Sequence, residues 1–260
     1  MDIKTEFVIL MPSCDNYSDL WKPVFDNLFL MCSDFSLKIY LITNFKDFEY
    51  PGVTVIKVGD DISWSNNILL ALKQINEKYI MLMLEDLFIN KKFTMHLLEN
   101  YFSVFAKENM DYLKLVTGDP GPEKRNVFPN IGKCGTNDYY RTSTVMSIWK
   151  KTVLQNLLKS DENAWEFEYY GSIRSSKYEK WYNCQTDVFT FDNLVIKGKI
   201  EPHALDNINK RGVIIETNRP IMDTKQQRRN SLINFRSKIF SILPRKAKIV
   251  IKHNMFSKNP

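Results

Sequence analysis

The chain has 260 residues, a mass of 30.7 kDa and a net charge of +6, with 44% hydrophobic and 13% aromatic residues. That apolar content excludes a disordered protein, and 9 Gly, 10 Pro and 4 Cys exclude a collagen-like fibre and a disulfide scaffold. The apolar stretch at residues 79–84 falls far short of the roughly 18 residues a membrane span needs.

The acids among the first six residues and the shortness of the apolar run at 7–11 argue against a secretory leader. Cys14, Cys32, Cys134 and Cys184 form no C-x-x-C pair, so they read as reduced thiols of a cytosolic protein rather than a zinc site.

In chain order, Phe7 to Met11 is an apolar run closed by Pro12 and reads as a buried strand. Residues 13–18 form a polar loop. Residues 19–31 place Leu20, Val24, Leu28 and Met31 at helical spacing. Residues 37–43 and 53–58 are further strands, the latter preceded by the turn pair Pro51-Gly52. Residues 64–77 read as a helix with Ile68, Leu69, Leu72 and Ile75 on one side. Residues 79–84 are apolar on both faces, as a central parallel strand requires, and run straight into Glu85-Asp86.

This alternation predicts an α/β domain with a mixed, largely parallel sheet flanked by helices. In such sheets ligands bind at the carboxyl ends of the strands. The polar clusters fall at those ends: residues 13–17, Asp60-Asp61 and Glu85-Asp86. Further on, 112–117 and 145–149 read as strands, 150–159 and 163–172 as helices, 193–199 as a late strand, and 118–135 as a Gly/Pro-containing loop. Tyr139-Tyr140-Arg141 borders that loop and reads as an acceptor-binding segment or a plain aromatic surface loop.

Glu85-Asp86 is the sharpest feature. Two acids at the mouth of a buried strand are costly to desolvate, and carboxylates so placed suit Mg²⁺ or Mn²⁺ with phosphate oxygens as the other ligands. A strand end meeting a surface loop is the alternative. Asp15 and Asp60-Asp61 also fit ordinary turn chemistry.

Asp60-Asp61, then Trp64 to Asn67, then residues 79–88 ending Glu85-Asp86-Leu87-Phe88, resemble GT-A fold glycosyltransferases. The nearest type is the family 2-like enzymes of bacterial surface-polysaccharide biosynthesis. Residues 147–151, 163–168 and 197–199 resemble later segments of the same proteins, so the resemblance spans about residues 5–215. The usual Asp-x-Asp is here Leu84-Glu85-Asp86.

The resemblance implies a nucleotide-sugar donor, UDP-linked, and an inverting transfer. It implies that Ser13, Asp15 and Tyr17 hold nucleobase and ribose, with Asp60 or Asp61 adding a contact and Asn67 facing the nucleotide. It implies that Asp86, supported by Glu85, binds the divalent ion or the sugar, and that His203 joins the metal or diphosphate. Lys199 and Arg211 are the candidates to neutralise the departing diphosphate. An inverting transferase needs a carboxylate to take the acceptor proton. Glu168 and Glu166 are the candidates, Glu168 preferred because it shares a helix side with Trp165 (i, i+3). His96 and His253 receive no role.

The last 36 residues carry ten Lys/Arg and no acid, a charge of +10, which leaves −4 for residues 1–224. Leu232, Phe235, Ile239, Phe240 and Leu243 recur there near helical spacing beside Arg236 and Lys238. Residues 223–260 are therefore expected to be a basic amphipathic helical tail on an anionic membrane surface, following a catalytic domain over residues 1–222. The acidic body argues against nucleic acid.

Together these point to a peripheral protein at the inner face of a bacterial cytoplasmic membrane, moving a sugar onto a glycan or lipid-linked glycan acceptor. The rival readings are a noncatalytic glycan-binding or membrane-tethering module and a sugar-1-phosphate nucleotidyltransferase. The latter normally needs a Gly-rich loop after the first strand, and residues 12–17 contain no Gly.

Overall fold

The computed structural model describes residues 3–118 and 126–228, together with Leu243 and Ala247. The first half comprises α1 (Ile3–Glu6), β1 (Phe7–Met11), α2 (Ser18–Met31), β2 (Ile39–Thr43), β3 (Val53–Lys57), α3 (Trp64–Leu72), β4 (Tyr79–Leu82), β5 (Leu87–Ile89) and α4 (Met95–Lys107). Then follow β6 (Tyr112–Lys114), β7 (Asn126–Phe128), β8 (Ile131–Lys133), β9 (Ser147–Lys150), α5 (Lys151–Leu157) and α6 (Ala164–Arg174). The last are β10 (Trp181–Cys184), β11 (Phe191–Asn193), β12 (Val195–Ile196), β13 (Lys199–Ile200) and α7 (Pro202–Lys210).

Nine strands form one mixed sheet in the order β3-β2-β1-β4-β9-β6-β10-β8-β7. The strands β3, β2, β1 and β4 are all parallel, and β9 then enters antiparallel between β4 and β6. The sheet divides two cores because side chains alternate along a strand. Phe7, Ile9 and Met11 face one core with Leu20, Trp21, Phe25 and Phe102 of α2 and α4. Val8 and Leu10 face the other with Ile68, Leu72 and Leu154 of α3 and α5. Every residue of β1 is buried, which is why its sequence shows no polar alternation.

The strand ends differ from expectation where backbone geometry overrides apolar pattern. The fourth strand stops at Leu82, and Met83-Leu84 lead out of the sheet toward the acids. Ile75 is buried although α3 ends at Leu72. The late strand at 193–199 is a small hairpin instead: β12 and β13 turn back on each other around Lys197 and Gly198, which take φ of 52° and 76°. That left-handed turn suits glycine. The loop expected at 118–135 contains the β7–β8 ribbon. All four cysteines are free. Among the described residues no helix is long and apolar enough to cross a membrane. The expected tail lies outside the described residues from 229 on, apart from Leu243 and Ala247.

Candidate functional site

The carboxyl ends of β1, β2, β3 and β4 open onto one edge, and three loops there are tied together. Asp15 accepts from the backbone N–H of Asn44 at 2.9 Å, Phe45 at 3.0 Å and Lys46 at 3.2 Å. Its own N–H donates to Asn44 Oδ1 at 2.9 Å. Asn44 Nδ2 then donates to Gly59 O at 2.9 Å. The Asp15 carboxylate, expected near a nucleotide, thus joins the β1 and β2 loops through backbone amides.

Asn67 sits on the first turns of α3, whose N-cap Ser63 accepts from Asn66 N–H. It is 5% exposed, donates from Nδ2 to Asp61 Oδ1 at 2.7 Å, and its Oδ1 has no partner. A buried acceptor without a donor is rare in a native fold and is a natural contact for a ligand N–H or O–H. Asp60 and Asp61 are both exposed on the adjoining loop.

Glu85 and Asp86 leave the end of β4 next to the β1 loop. Glu85 is 8% exposed. Ser13 accepts from Trp21 Nε1 at 2.8 Å and hydrogen-bonds Glu85 with its hydroxyl. Burial pushes the Glu85 carboxyl up to about 8, and the Asp86 charge adds to that rise. Burial likewise pushes Asp86 up to about 6. Both charges, after burial itself, raise the Tyr17 phenol, and both Asp61 and Glu85 raise the Cys14 thiol that burial already lifts. Ser13, Cys14, Tyr17, Asp61, Glu85 and Asp86 are therefore one electrostatic neighbourhood.

A cation completes it. Ile200 N–H donates to Pro220 O and Met222 N–H to Ile200 O, both at 3.0 Å, so β13 carries the segment 217–222 along its edge. From that segment Arg219 donates Nε to Asp19 Oδ2 at 2.8 Å and Nη2 to Asp19 Oδ1 at 2.9 Å. Its guanidinium lies 4.2 Å from the centre of the Tyr17 ring. Thr217 Oγ1 donates to the same Asp19 carboxylate at 2.6 Å. Burial would raise Asp19, but the hydrogen bonds from Arg219 and Thr217 outweigh it and hold the carboxyl below its ordinary value. The Arg219 charge also pulls Glu85 and Asp86 downward.

The second acidic motif resolves into two different environments. Glu166 closes a capping box: its carboxylate accepts from Asn163 N–H at 2.8 Å, while Asn163 Oδ1 accepts from Glu166 N–H at 3.0 Å. Glu168 turns inward and accepts from Thr144 N–H at 2.7 Å and from the Ser143 and Thr144 hydroxyls at 3.0 Å. These residues precede β9, whose Ser147 stands opposite Leu82 of antiparallel β4. Ser143 and Thr144 thus lie beyond the end of β4 from which Glu85-Asp86 emerge. Trp165 points away into solvent, 80% exposed. A cavity of about 220 Å³ follows, lined by Asp138, Tyr139, Tyr169 and Ser172. Arg141 is buried and structural, donating to Thr136 O and Tyr178 O at 2.9 Å and lying over the Trp181 ring.

The remaining expected residues lie apart from this cluster. His203 is exposed on the first turn of α7. Lys199 is half-buried on β13. Arg211 pairs with Asp192 at 2.6 Å, and its Nε and Nη2 are buried without partners. Among the described residues no three His, Cys, Asp or Glu side chains gather as a metal cage. Asp86 and Glu85 supply two acids, His203 does not join them, and Arg219 already brings positive charge to the place. Glu85 and Asp86 would be the protein's ligands to Mg²⁺ or Mn²⁺, which would take its remaining ligands from phosphate oxygens and water. Arg219 itself carries no sequence signal: it is a single cation between Asn218 and Pro220, outside any apolar period.

No family model matches the sequence, and no curated protein matches it either. Solved structures do match in shape. The mannosyltransferase PcManGT from Pyrobaculum calidifontis, in complex with GDP-Man and Mn²⁺, aligns with a TM-score of 0.50 at 10% identity over 74% of this chain and 58% of that one. TarS 1–349 of S. aureus aligns with a TM-score of 0.46 at 11% identity over 69% of this chain and 60% of that one. A UDP-glucose pyrophosphorylase complexed with UDP-glucose aligns with a TM-score of 0.49 at 7% identity, covering 79% and 97%. The chain therefore spans about three fifths of the two transferases it is compared with. At these identities the likeness concerns architecture: the chain has the GT-A fold.

Proposed function

We propose that the chain transfers a sugar from a nucleotide-sugar donor, UDP-linked, onto a hydroxyl of a glycan or lipid-linked glycan. The observation that carries this reading is the convergence, at the carboxyl edge of the parallel strands, of the β1 loop, the partnerless Asn67 amide oxygen, Glu85-Asp86 and Arg219. Such an edge is where α/β sheets of this kind take their ligands. The mannosyltransferase of like fold binds GDP-Man.

In this reading Asn67 and Asp61 meet the nucleoside, and Tyr17 offers its ring beside them. Asp86, backed by Glu85, holds hydroxyls of the donor sugar. Glu168 accepts the proton of the acceptor hydroxyl as that oxygen bonds to the anomeric carbon and the bond to the phosphate oxygen breaks. The nucleoside diphosphate departs with the electron pair, and attack from the opposite face inverts the centre. The Ser143–Thr144 donors keep Glu168 aimed at that place. The cavity beside Tyr139 and Tyr169 receives the acceptor sugar, where aromatic faces suit pyranose rings. The basic tail at 223–260 holds the enzyme against the anionic inner face of a bacterial membrane, where a lipid-linked acceptor is presented.

The test is nucleotide release from a panel of UDP-, GDP- and CMP-sugars, with water or added acceptor glycans. The reading expects UDP release that Asp86→Ala abolishes. No release from any donor, or release unchanged in Asp86→Ala, contradicts it.

A further inference from the structure

A nucleoside diphosphate brings two to three negative charges to an edge that already carries the Asp61 and Asp86 carboxylates. Something must neutralise them, and general chemistry offers a divalent ion or a fixed cation. The cations expected from the sequence do not fill the gap: Arg211 is engaged by Asp192, and Lys199 lies on β13.

Arg219 is built for the task. The Asp19 carboxylate grips its Nε–Nη2 edge at 2.8 and 2.9 Å, and the Tyr17 ring lies 4.2 Å from its guanidinium carbon. Asn16 O accepts a further bond from Nη2. Nη1 has no hydrogen-bond partner among the described residues, which leaves two N–H groups of a fixed guanidinium for an oxygen ligand. Its position is set twice over, by the Asp19 clamp and by the β13 pairing of its neighbours Pro220 and Met222. A pre-positioned guanidinium loses little freedom on meeting a phosphate and matches its geometry better than an ammonium does.

We infer that Arg219 is the diphosphate-binding residue of this site. This rests on the nucleotide-sugar reading but separates from it by experiment. Calorimetric titration of the full chain with UDP is run in EDTA and again in Mn²⁺, with uridine as the control lacking phosphates. Wild type is expected to bind UDP at least about tenfold more tightly than uridine in one or both buffers. Arg219→Gln is expected to lose about tenfold or more of UDP affinity while uridine affinity changes less than about twofold. Arg219→Lys keeps the positive charge and should recover part of the loss.

UDP binding no tighter than uridine binding in wild type overturns the inference and leaves the nucleotide reading standing. So does an Arg219→Gln protein that binds UDP as wild type does, or one that loses uridine and UDP alike. If wild type binds neither UDP, GDP nor CMP in either buffer, the inference and the nucleotide reading fall together.

Discussion

Arg219 and Asp19 meet through two hydrogen bonds of 2.8 and 2.9 Å across 200 positions of sequence. The contact fastens the segment after α7 to the first turn of α2, and so closes one side of the candidate site. Both side chains are mostly shielded, so the pair is worth more than a surface bridge.

Acid should open that clamp. The Asp19 carboxyl is held below its ordinary value, so its contribution is present above the unfolded value of about 3.9 and is lost as pH falls through the folded one. Asp19→Asn should cost about 2 kcal/mol at pH 7 and much less near pH 2. Urea unfolding of both proteins at several pH values measures this. A deficit that stays constant with pH would show that the pair is not held by charge.

Glu85 acts in the opposite sense. Its carboxyl is raised from 4.5 to about 8, so between these values the folded chain keeps a proton that the unfolded chain has released. Stability therefore falls as pH rises from about 4.5 to 8. Glu85→Gln removes that proton exchange, and its melting temperature should decline less than that of wild type over pH 5–8. Parallel declines in the two proteins would mean that another group sets the slope.

The two glutamates of α6 should separate cleanly. Glu168→Gln is expected to slow donor turnover by about 10²–10⁴-fold with UDP affinity unchanged. Glu166→Ala removes one half of a capping box and should cost about 1 kcal/mol of stability while turnover persists. Turnover assays and thermal melts of both variants decide it; the reverse pattern assigns the base to Glu166.

Phe7 is packed by three rings, stacked on Tyr79 and Phe102 at centroid distances of 4.5 and 4.3 Å and edge-on to Phe105 at 6.2 Å. Phe7→Ala should cost about 3–5 kcal/mol in denaturant unfolding. A loss under about 1 kcal/mol would mean that this face of the sheet is not close-packed.

Ending the chain at residue 228 should leave UDP binding intact and abolish sedimentation with anionic liposomes, since it removes eight of the tail's ten Lys/Arg, each acting at such a surface with about 1 kcal/mol. Equal sedimentation of the short and full chains removes the membrane role.

What was legible in the sequence follows from how directly a contact shows in local pattern. The unbroken apolar run of β1 and the abrupt change from Leu84 to Glu85-Asp86 are one-dimensional signals, and both sit where expected. Helix α4 was equally legible, with Leu98, Tyr101, Phe102 and Phe105 on one buried face, yet the expected elements leave it out. Strand β10 was not, because Trp181-Tyr182-Asn183-Cys184 is buried throughout and shows neither alternation nor an apolar run. At the site, the difference between Glu166 and Glu168 depends on Asn163 and on Ser143 and Thr144, 25 and 24 residues before Glu168. Asp15 looks like a ligand residue in sequence because its partners are the backbone amides of 44–46, which have no side-chain signature. Arg219 is set by pairing with β13 and Asp19, contacts that no local spacing encodes.

The central claim is that the edge beyond β1 and β4 receives a nucleotide sugar. A crystal structure of the chain with bound UDP tests it most directly. The account predicts the uracil nucleoside beside Asn67 and Asp61, and the diphosphate between Asp86 and the Nη1 end of Arg219. UDP bound away from these residues, with Glu85 and Asp86 facing bulk solvent, would contradict it.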